Sequence, residues 1–351
     1  MKVLLITDQH FGVRNDNQHF INHYRKYYSK VVIPFIKAYG ITEIIDLGDT
    51  FDKRKSVNFM SLDAAKEMWF DPIKDIGCKM TALVGNHDIY YKNTLRINAP
   101  NELLGDYDID VIDEPTTRNY DGTDILFLPW ICDENRDDTF RSITKSTAPV
   151  CMGHLELNGF EAHPGHVMNM GMDINPFDKF QRVFSGHYHM KSTKGNISYL
   201  GNPYQLYWND YGCKRGFHVF DTETRQLERI VNPYTIFSKI HYDDTKEDYD
   251  NHDVKKYRNK YVKLIVVNKK DLYKFDKFTD RLLKADCHEV KIVEDFSDLD
   301  ANTVSDDIVK NTEDTMTLLG KYIDELEVDL DKKRLKDTVS LLYHEAQDLE
   351  L

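Results

Sequence analysis

Cysteine, proline and long apolar runs are scarce in this sequence, and each shortage excludes a class of protein. The 351 residues include only 5 cysteines and 10 prolines. The cysteines are odd in number and none forms a CxxC pair, which argues against a disulfide framework and against a zinc knuckle. No run of about 18 apolar residues occurs, so no membrane-spanning helix is predicted. The apolar stretch at residues 3–6 is too short for a signal peptide. We therefore expect a cytoplasmic protein with reduced thiols.

Positive charge is also in short supply. Lys and Arg together number 46 against 59 Asp and Glu, a formal net charge of −13. This balance argues against a non-specific grip on nucleic acid, which needs many cationic contacts to phosphates. Residues 301–351 hold 13 acidic and 6 basic residues, a net charge of −7, so over half of the excess lies there. Because bound divalent cations can reverse the charge locally, the composition does not exclude a DNA substrate.

Short apolar runs alternate with stretches of helical periodicity in the first part of the chain. The runs that indicate buried strands are "VLLIT" (3–7), "TEIID" (42–46), "MTALV" (80–84), "APVCM" (148–152), "RVF" (182–184) and "ISYL" (197–200). Between the first three, apolar residues recur at three- and four-residue steps across residues 17–38 and, less regularly, across 59–76. This alternation predicts a layered α/β domain.

The pattern changes after about residue 212. Residues 215–231 indicate a hairpin around the turn "DTET", and residues 261–296 indicate a strand, a helix and a second strand. Two helical segments follow from about residue 302. We therefore predict three domains: an α/β domain over 1–212, a smaller α+β domain over 213–300, and a C-terminal helical hairpin over 301–351.

Five of the predicted strands run into side chains that can bind a metal ion. The segments after them contain Asp8 and His10, Asp49 and Asp52, Asn86 with His87 and Asp88, His154, and His187 with His189. In open α/β sheets, ligands bind at the carboxyl ends of the strands. Glycine beside four of these segments lets the backbone approach a ligand closely. The sequence therefore predicts that these donors surround one point.

The types of donor indicate which ions they would bind. Carboxylate, imidazole and amide donors without thiolate suit Mn²⁺, Fe²⁺ or Zn²⁺ better than Ca²⁺ or an iron–sulfur cluster. Each motif alone is ambiguous, because "GNHD" (85–88) is also good turn chemistry and His154 alone could be a core histidine. Together the five segments predict two ions with open positions for water and substrate. Two ions roughly 3.5–4 Å apart can clamp the attacking and leaving oxygens of a phosphoryl displacement.

The set of motifs resembles the signature of the calcineurin-like metallophosphoesterases, which have a layered α/β/β/α fold. The matching segments are Asp8-x-His10, Gly48-Asp49-x-x-Asp52, Gly85-Asn86-His87-Asp88, Gly153-His154 and Gly186-His187-x-His189. The blocks "DQHFG", "GDTFDKR", "VGNHD" and "GHLELNG" are most similar to the DNA double-strand-break-repair nucleases, a branch that includes bacterial SbcD and phage recombination nuclease subunits. The resemblance covers residues 1 to about 220, and beyond them it rests on layout alone.

The resemblance implies a role for each motif residue. The first metal ion would be bound by Asp8, His10, Asp49 and His189, and the second by Asp49, Asn86, His154 and His187, with the Asp49 carboxylate bridging. Residues i and i+2 of an extended segment point to the same side, so His187 and His189 would each reach one ion. His87 would stabilise or protonate the leaving oxygen. Asp52 would orient the His87 ring, with a helix N-cap as the alternative.

The resemblance also implies an activity and its cofactors. We expect two divalent ions, Mn²⁺ or else Mg²⁺, and two-metal cleavage of DNA phosphodiesters by an exonuclease and single-strand endonuclease of repair and recombination. Lys53, Arg54 and Lys55 would contact the DNA backbone, although a solvated loop explains them equally well.

Partners are implied by the same resemblance. This branch binds an SMC-like coiled-coil ATPase through a C-terminal helical hairpin, and an apolar stripe formed by Leu335, Val339, Leu342 and Ala346 fits that role. Packing of the stripe on the chain's own domains is the alternative. A homodimer through the nuclease domain, involving residues 59–76, and a location in a bacterial or phage-infected cytoplasm are also expected.

Two other functions stay open at this point. A metallophosphatase or a cyclic-nucleotide phosphodiesterase would use the same ligands, although neither needs the α+β domain or the hairpin. A catalytically inactive scaffold of the same fold is disfavoured by the intact donor set and by His87.

Overall fold

The protein is described here by a computed structural model covering residues 1–163, 165–294, 323, 331–336 and 338–339. The chain forms two compact units. The first consists of Met1–Ser238, Tyr257–Tyr261 and Asp286–His288, and the second of Lys239–Lys256, Val262–Ala285 and the described residues of Glu289–Leu351. Within these ranges no helix is long and apolar enough to cross a bilayer.

The first unit is built from strands and helices that alternate early and become richer in strands later. Its strands are β1 (Lys2–Ile6), β2 (Glu43–Asp46), β3 (Lys79–Leu83), β4 (Ile109–Ile112), β5 (Thr116–Tyr120), β6 (Thr123–Leu128), β7 (Val150–His154), β8 (Glu161–His163), β9 (His166–Val167), β10 (Arg182–Gly186), β11 (Ser192–Lys194), β12 (Ile197–Tyr199), β13 (Gly216–Asp221) and β14 (Leu227–Val231). Its helices are α1 (Val13–Asp16), α2 (Gln18–Tyr27), α3 (Ile33–Tyr39), α4 (Phe59–Ala65), α5 (Asp71–Ile76), α6 (Ala99–Leu103) and α7 (Arg136–Lys145). Short π-helical segments join α2 to α3 and α4 to α5.

Two mixed sheets form the centre of the first unit. The first has the order β14-β13-β1-β2-β3-β4, in which β1 to β4 run parallel and β13 pairs antiparallel with β1. The second has the order β11-β12-β10-β7-β6-β5, in which β6, β7, β10 and β12 run parallel. The carboxyl ends of β1, β2 and β3 in one sheet and of β7 and β10 in the other carry the predicted site segments.

Side-chain alternation along β1 explains how the two sheets are covered. Val3 and Leu5 belong to a buried cluster that also contains Phe127 and Met152 of the second sheet. Leu4 and Ile6 point the other way and pack with residues of the helical layer, α2 to α5. A third cluster covers the outer face of the second sheet, where α7 lies. The order of layers is therefore α/β/β/α, which confirms the predicted fold class.

The first unit extends beyond the predicted boundary at residue 212. The predicted hairpin is present as β13 and β14, but it adds to the edge of the first sheet through the pairing of β13 with β1. Phe220 is fully buried in the cluster between the sheets. Because this hairpin completes the core, Met1–Ser238 forms one unit and the smaller unit begins after it.

The second unit contains the predicted strand, helix and strand. Its sheet has the order β15 (Phe237–Asp243), β16 (Tyr261–Asn268) and β17 (Glu289–Glu294), with α8 (Leu272–Leu283) between the last two strands in sequence. Phe275 and Phe278 of α8 pack against Tyr242 of β15. In the predicted hairpin, Leu335 and Val339 are half-buried helical residues, whereas Leu342 and Ala346 lie outside the described residues.

Candidate metal centre

The loops that leave the five strands hold their backbones in an unusual conformation. The φ angles of Asp8, His10, Asp49 and His187 are 51°, 47°, 57° and 87°. Non-glycine residues rarely adopt positive φ, and each costs on the order of 1–3 kcal/mol unless its surroundings hold it. Four such residues lie at the same edge of the two sheets. Their strained backbone lowers the folding stability and orients particular side chains.

Two glycines allow these loops to pack backbone against backbone. A Cβ atom on Gly85 would lie 2.2 Å from Asp49 Oδ1, and one on Gly186 would lie 2.1 Å from Thr7 Oγ1. Real Cβ atoms do not approach other atoms so closely, so any larger residue would push the loops apart. The glycine in each motif is therefore required by the close approach.

The buried carboxylate of Asp88 ties two of the loops together. It accepts hydrogen bonds from the backbone N–H groups of Asp49 (2.8 Å), Thr50 (3.1 Å) and Gly85 (2.9 Å). All of its contacts with these loops are to backbone amides, so Asp88 holds the loop positions.

One group of donors contains Asp8, His10 and His189. Their ligand atoms all lie within 4.8 Å of one another. His10 Nε2 lies 3.1 Å from His189 Nε2, and His189 Nε2 lies 3.9 Å from Asp8 Oδ1. Asp8 and His10 are buried, and His189 is partly exposed.

A second group contains Asp49, Asn86, His154 and His187. Asn86 Oδ1 lies 3.0 Å from His154 Nε2 and 2.9 Å from His187 Nδ1. Asp49 Oδ2 lies 3.3 Å from His154 Nε2 and 3.8 Å from His10 Nε2 of the other group. A single oxygen of Asp49 therefore lies between the two groups.

The structure brings the seven predicted donors together, but the segment of His187 and His189 is not extended as we expected. His187 has a φ of 87°, and the chain bends directly after β10. Tyr188 between them is buried in the cluster on the outer face of the second sheet. The bend, rather than strand alternation, sends the two imidazoles to different groups.

The lone pairs of these donors face one another, which is unfavourable unless a proton or a cation lies between them. His154 Nδ1 lies 2.7 Å from the carbonyl oxygen of Leu47, so this nitrogen carries a proton, and Nε2, which faces Asp49, is the atom that binds either a second proton or a cation. The Asn86 amide can face the same atoms with its nitrogen or its oxygen, and the oxygen is the end that binds a cation.

Spacing and donor type agree with metal binding. Nitrogen ligands about 2.0–2.1 Å from one ion lie roughly 3 Å apart, as His10 Nε2 and His189 Nε2 do at 3.1 Å. The set consists of imidazole, carboxylate and amide donors, which suits divalent first-row metals. The residues therefore fit two divalent ions.

Comparison with known proteins gives the family of the chain. Residues 1–191 match the calcineurin-like phosphoesterase family. The chain belongs to this family. Over 352 residues the phosphoesterase is 35% identical to "Exonuclease subunit 1" of Enterobacteria phage T4, covering 99% of each chain. The predicted resemblance is thus confirmed.

Two solved structures are also similar. One is an archaeal phosphodiesterase, 14% identical over 66% of this chain and 99% of that chain, with a TM-score of 0.35. The other is GAP50, described as the anchor in the inner membrane complex of Plasmodium, 14% identical over 67% of this chain and 90% of that chain, with a TM-score of 0.40. With TM-scores below 0.5, these similarities add nothing to the family assignment.

Electrostatics shift Asp49 and two histidines of the phosphoesterase toward their charged forms. Burial raises the pKa of Asp49, but the charges of His154 and His87 outweigh it and hold the pKa well below its usual range. Burial raises the pKa of Asp8. Burial lowers the pKa of His154, but the charges of Asp49 and Asp8 outweigh it and raise the pKa to about 9. The pKa of His10 is also raised to about 9, because its hydrogen bond to Asp52 and the charge of Asp49 outweigh burial. His187 differs, since burial and the charge of His154 lower its pKa to about 3.

Asp52 and His87 lie beside the donors, but not in the predicted arrangement. The Asp52 carboxylate lies 3.3 Å from His10 Nδ1, so this side chain orients a predicted ligand. His87 Nδ1 is 2.5 Å from the backbone carbonyl oxygen of Asp52. The prediction that the Asp52 side chain orients His87 is corrected by these contacts, because the main chain of the same residue does so. The His87 ring meets His10 edge-on, with centroids 4.8 Å apart.

Of the three predicted DNA-contacting cations, one lies at the centre itself. Arg54 Nη2 is 3.2 Å from the atom of the Asn86 amide that faces away from His154 and His187. Lys53 is half-buried and Lys55 is exposed. Trp130 packs against His187 with ring centroids 5.0 Å apart, and the sequence analysis missed it although the "PW" pair precedes a site strand.

A buried polar network beneath the centre was also missed. Gln9 Nε2 donates to Asp46 Oδ2 at 2.6 Å, and Asp46 also accepts from Thr50 Oγ1 at 3.0 Å and from the Gly48 N–H at 3.1 Å. Tyr28 of the helical layer donates to Gln9 Oε1. Gln9 therefore links the loop of Asp8 and His10 to the loop of Asp49. Its place inside a metal-ligand motif is the only sequence signal that could have revealed it.

We expect metal binding at pH 8 to release about two protons. His10 and His154, with pKa values raised to about 9, are mostly protonated at this pH in the metal-free protein, and an ion must displace both protons. Calorimetric titration with Mn²⁺ in buffers of different ionisation enthalpy measures the number released. His154→Gln should lower it by about one. Histidines with ordinary pKa values near 6.5 would release almost none, and that result would contradict the assignment.

Gln9→Met should weaken metal binding by about 10- to 100-fold, because partners that orient metal ligands have effects of this size. The change also leaves buried Asp46 without one donor, which should cost about 1–3 kcal/mol of folding stability. Titration calorimetry with Mn²⁺ and thermal unfolding measure the two effects. Gln18→Met, at the exposed start of α2, is the matched control. Equal behaviour of the two variants would show that the network does not position the loops.

Proposed function

We propose that this phosphoesterase is a Mn²⁺-dependent DNA nuclease that degrades duplex ends and cuts single strands. The observation that carries the proposal is the position of Asp49 Oδ2, which lies 3.3 Å from His154 in one donor group and 3.8 Å from His10 in the other. A carboxylate shared in this way is what a two-metal phosphodiesterase requires. The full-length similarity to a relative named exonuclease subunit 1 supports DNA as the substrate.

In this proposal Asp8, His10, Asp49 and His189 hold one ion, and Asp49, Asn86, His154 and His187 hold the other. When bound, such ions lower the pKa of a water molecule and stabilise charge on the phosphoryl oxygens. The chain supplies the rest. Arg54, within 3.2 Å of Asn86, can donate hydrogen bonds to an oxygen of the phosphate that is cut.

His87 is the proposed proton donor to the leaving oxygen. Because a carbonyl oxygen only accepts hydrogen bonds, the contact with the Asp52 main chain keeps a proton on His87 Nδ1. When the ring is doubly protonated, the other nitrogen, Nε2, can give its proton to the leaving oxygen, and the ring then becomes neutral. The hydrogen bond from the His87 backbone N–H to Asp49 Oδ1, at 2.8 Å, ties this residue to the carboxylate between the two donor groups.

Partner binding is the second part of the proposal. We propose that the C-terminal segment, including Leu335 and Val339, binds an SMC-like coiled-coil ATPase, and that the small α+β unit assists DNA binding. The word "subunit" in the relative's name supports a complex. Phe59 is 87% exposed and Met60 43% exposed at the start of α4, which supports a homodimer through this helix.

The purified chain should degrade labelled duplex DNA from its ends and nick single strands in the presence of Mn²⁺, and a chelator should abolish both. His87→Asn should lower cleavage by about 10²- to 10⁴-fold and leave the number of bound metal ions unchanged. Gel analysis of labelled DNA and metal counting by native mass spectrometry measure the two outcomes. His241→Asn, an exposed position in the second unit, is the control.

Two outcomes would contradict this proposal. Turnover of p-nitrophenyl phosphate or a cyclic nucleotide without any DNA cleavage would identify a phosphatase or a small-substrate phosphodiesterase. Loss of a metal ion from the His87→Asn variant would make His87 a ligand, as its approach to His10 and Asp49 permits.

Leu335→Asp combined with Val339→Asp should abolish binding of the ATPase and leave Mn²⁺-dependent DNA cleavage within about twofold of the unaltered chain, because charged side chains cannot remain in an apolar interface. A chain ending at residue 300 should behave in the same way. Co-elution in size-exclusion chromatography with light scattering measures the complex. Lys333→Asp, an exposed neighbour, is the control. Persistent co-elution of the truncated chain would refute the assignment.

A further inference from the structure

The short element α1 follows the segment of Asp8 and His10, and its backbone is a strained left-handed turn rather than an ordinary helix. It has no role in the mechanism above. Arg14, Asn15 and Asp16 all have positive φ, at 57°, 55° and 61°. Three consecutive non-glycine residues in the left-handed region are rare, and backbone strain of this kind concentrates at functional sites. The turn is held in place from outside, because Asp16 Oδ1 accepts a hydrogen bond of 2.5 Å from Ser61 Oγ of α4.

The effect of this turn is to hold the Arg14 side chain beside the candidate metal centre. Arg14 Nε donates to the Leu206 carbonyl oxygen at 3.3 Å, and the guanidinium carbon lies 4.9 Å from the centroid of the Tyr207 ring. The Tyr207 ring is parallel to that of His189, with an angle of 7° and centroids 6.4 Å apart. The Tyr207 ring is therefore a neighbour of both His189 and Arg14.

The guanidinium is ordered but not neutralised. Within the described part of the chain, its two terminal nitrogens have no hydrogen bond or ion pair, and the nearby Asp16 carboxylate is engaged by Ser61. A guanidinium held by its Nε and by an aromatic ring still offers two parallel N–H donors, which match two oxygens of a phosphate. In a chain of net charge −13, an unpaired cation at the rim of a phosphate-cleaving centre indicates an anionic ligand.

We propose that Arg14 binds a phosphate of the DNA strand adjacent to the one that is cut, on the side of Asp8 and His189. The Tyr207 ring is a neighbour of both Arg14 and His189, so the guanidinium lies near the donor group of Asp8 and His189. This position suits a phosphate next to the one at the centre. Arg54 lies at the other donor group, beside Asn86. The two arginines thus mark the path of the strand across the centre. This inference rests on the proposed nuclease function and adds a site that selects polynucleotides over small phosphate esters.

The test uses the full-length protein with Mn²⁺ and single-stranded oligonucleotides that carry one neutral methylphosphonate linkage at successive positions from the cleaved bond. For the unaltered protein, one linkage next to the cleaved bond should raise KM about tenfold. Arg14→Asn is chosen because asparagine tolerates positive φ, and it should raise KM about tenfold on unmodified DNA. A methylphosphonate at that same linkage should not raise the KM of this variant further. In both cases kcat should stay within about twofold, and turnover of bis(p-nitrophenyl) phosphate should not change.

Two further variants separate phosphate recognition from a general charge effect. Arg14→Lys keeps the charge but loses the planar fork, so its KM should lie between those of the other two proteins. Arg141→Gln removes a positive charge from α7, on the outer face of the second sheet, and should leave KM unchanged. Thermal unfolding of each variant checks that the turn still folds.

Three outcomes would overturn the assignment of Arg14. In the first, Arg14→Asn and each methylphosphonate raise KM independently, so that their combined effect is the product of the two. In the second, Arg141→Gln raises KM as much as Arg14→Asn does. In the third, Arg14→Asn abolishes turnover of the small ester. Failure of the nuclease proposal is distinguishable, since the unaltered protein would then cut no DNA. In that case the Kd values of the same oligonucleotides are compared instead of KM. Arg14→Asn must still raise the Kd of unmodified DNA about tenfold, and only one methylphosphonate position must have no further effect on this variant.

Discussion

The structure depends on positive charge, carried by a proton or by a cation, beside one buried carboxylate. Asp49 Oδ2 faces His154 Nε2 at 3.3 Å, and His154 cannot turn away, because its other nitrogen is bound to the Leu47 carbonyl oxygen at 2.7 Å. Only positive charge placed between such atoms makes the arrangement stable. The positive φ angles of Asp8 and Asp49 and the close approach at Gly85 serve to keep these atoms where they would otherwise separate.

Holding such a centre requires support from layers that do not touch it. The ligand loops come from two sheets, so their relative positions depend on the apolar cluster between the sheets, in which Leu5, Ile45 and Met152 are fully buried. Apolar packing is not directional and does not by itself set side-chain positions to within a fraction of an ångström. The hydrogen bonds that Asp88 accepts from four backbone amides, and the one that Gln9 donates to Asp46, supply that directional restraint.

The strands and the donor types could be predicted from the sequence because both are local properties. A run such as "VLLIT" is apolar enough to be a buried strand, and the residues after it are donors whatever they contact. Partner choice is not local. Asp52 lies near both His10 and His87. In the tertiary structure its carboxylate contacts His10, and its backbone carbonyl oxygen contacts His87. The end of the first unit was missed for the same reason, since a hairpin pattern does not reveal that β13 pairs with β1.

An acidic protein can act on a polyanion if cations lie where the strand passes. Some surface arginines are paired with carboxylates, as Arg118 is with Asp110 and Arg25 is with Glu67. Exposed pairs of this kind contribute little to stability, but they remove the positive charge that would otherwise attract phosphates at unproductive places. In the proposed nuclease, Arg54 at the metal centre and Arg14 near it supply positive charge to the strand. Repulsion from the acidic surface would then favour a path along which the strand meets these arginines.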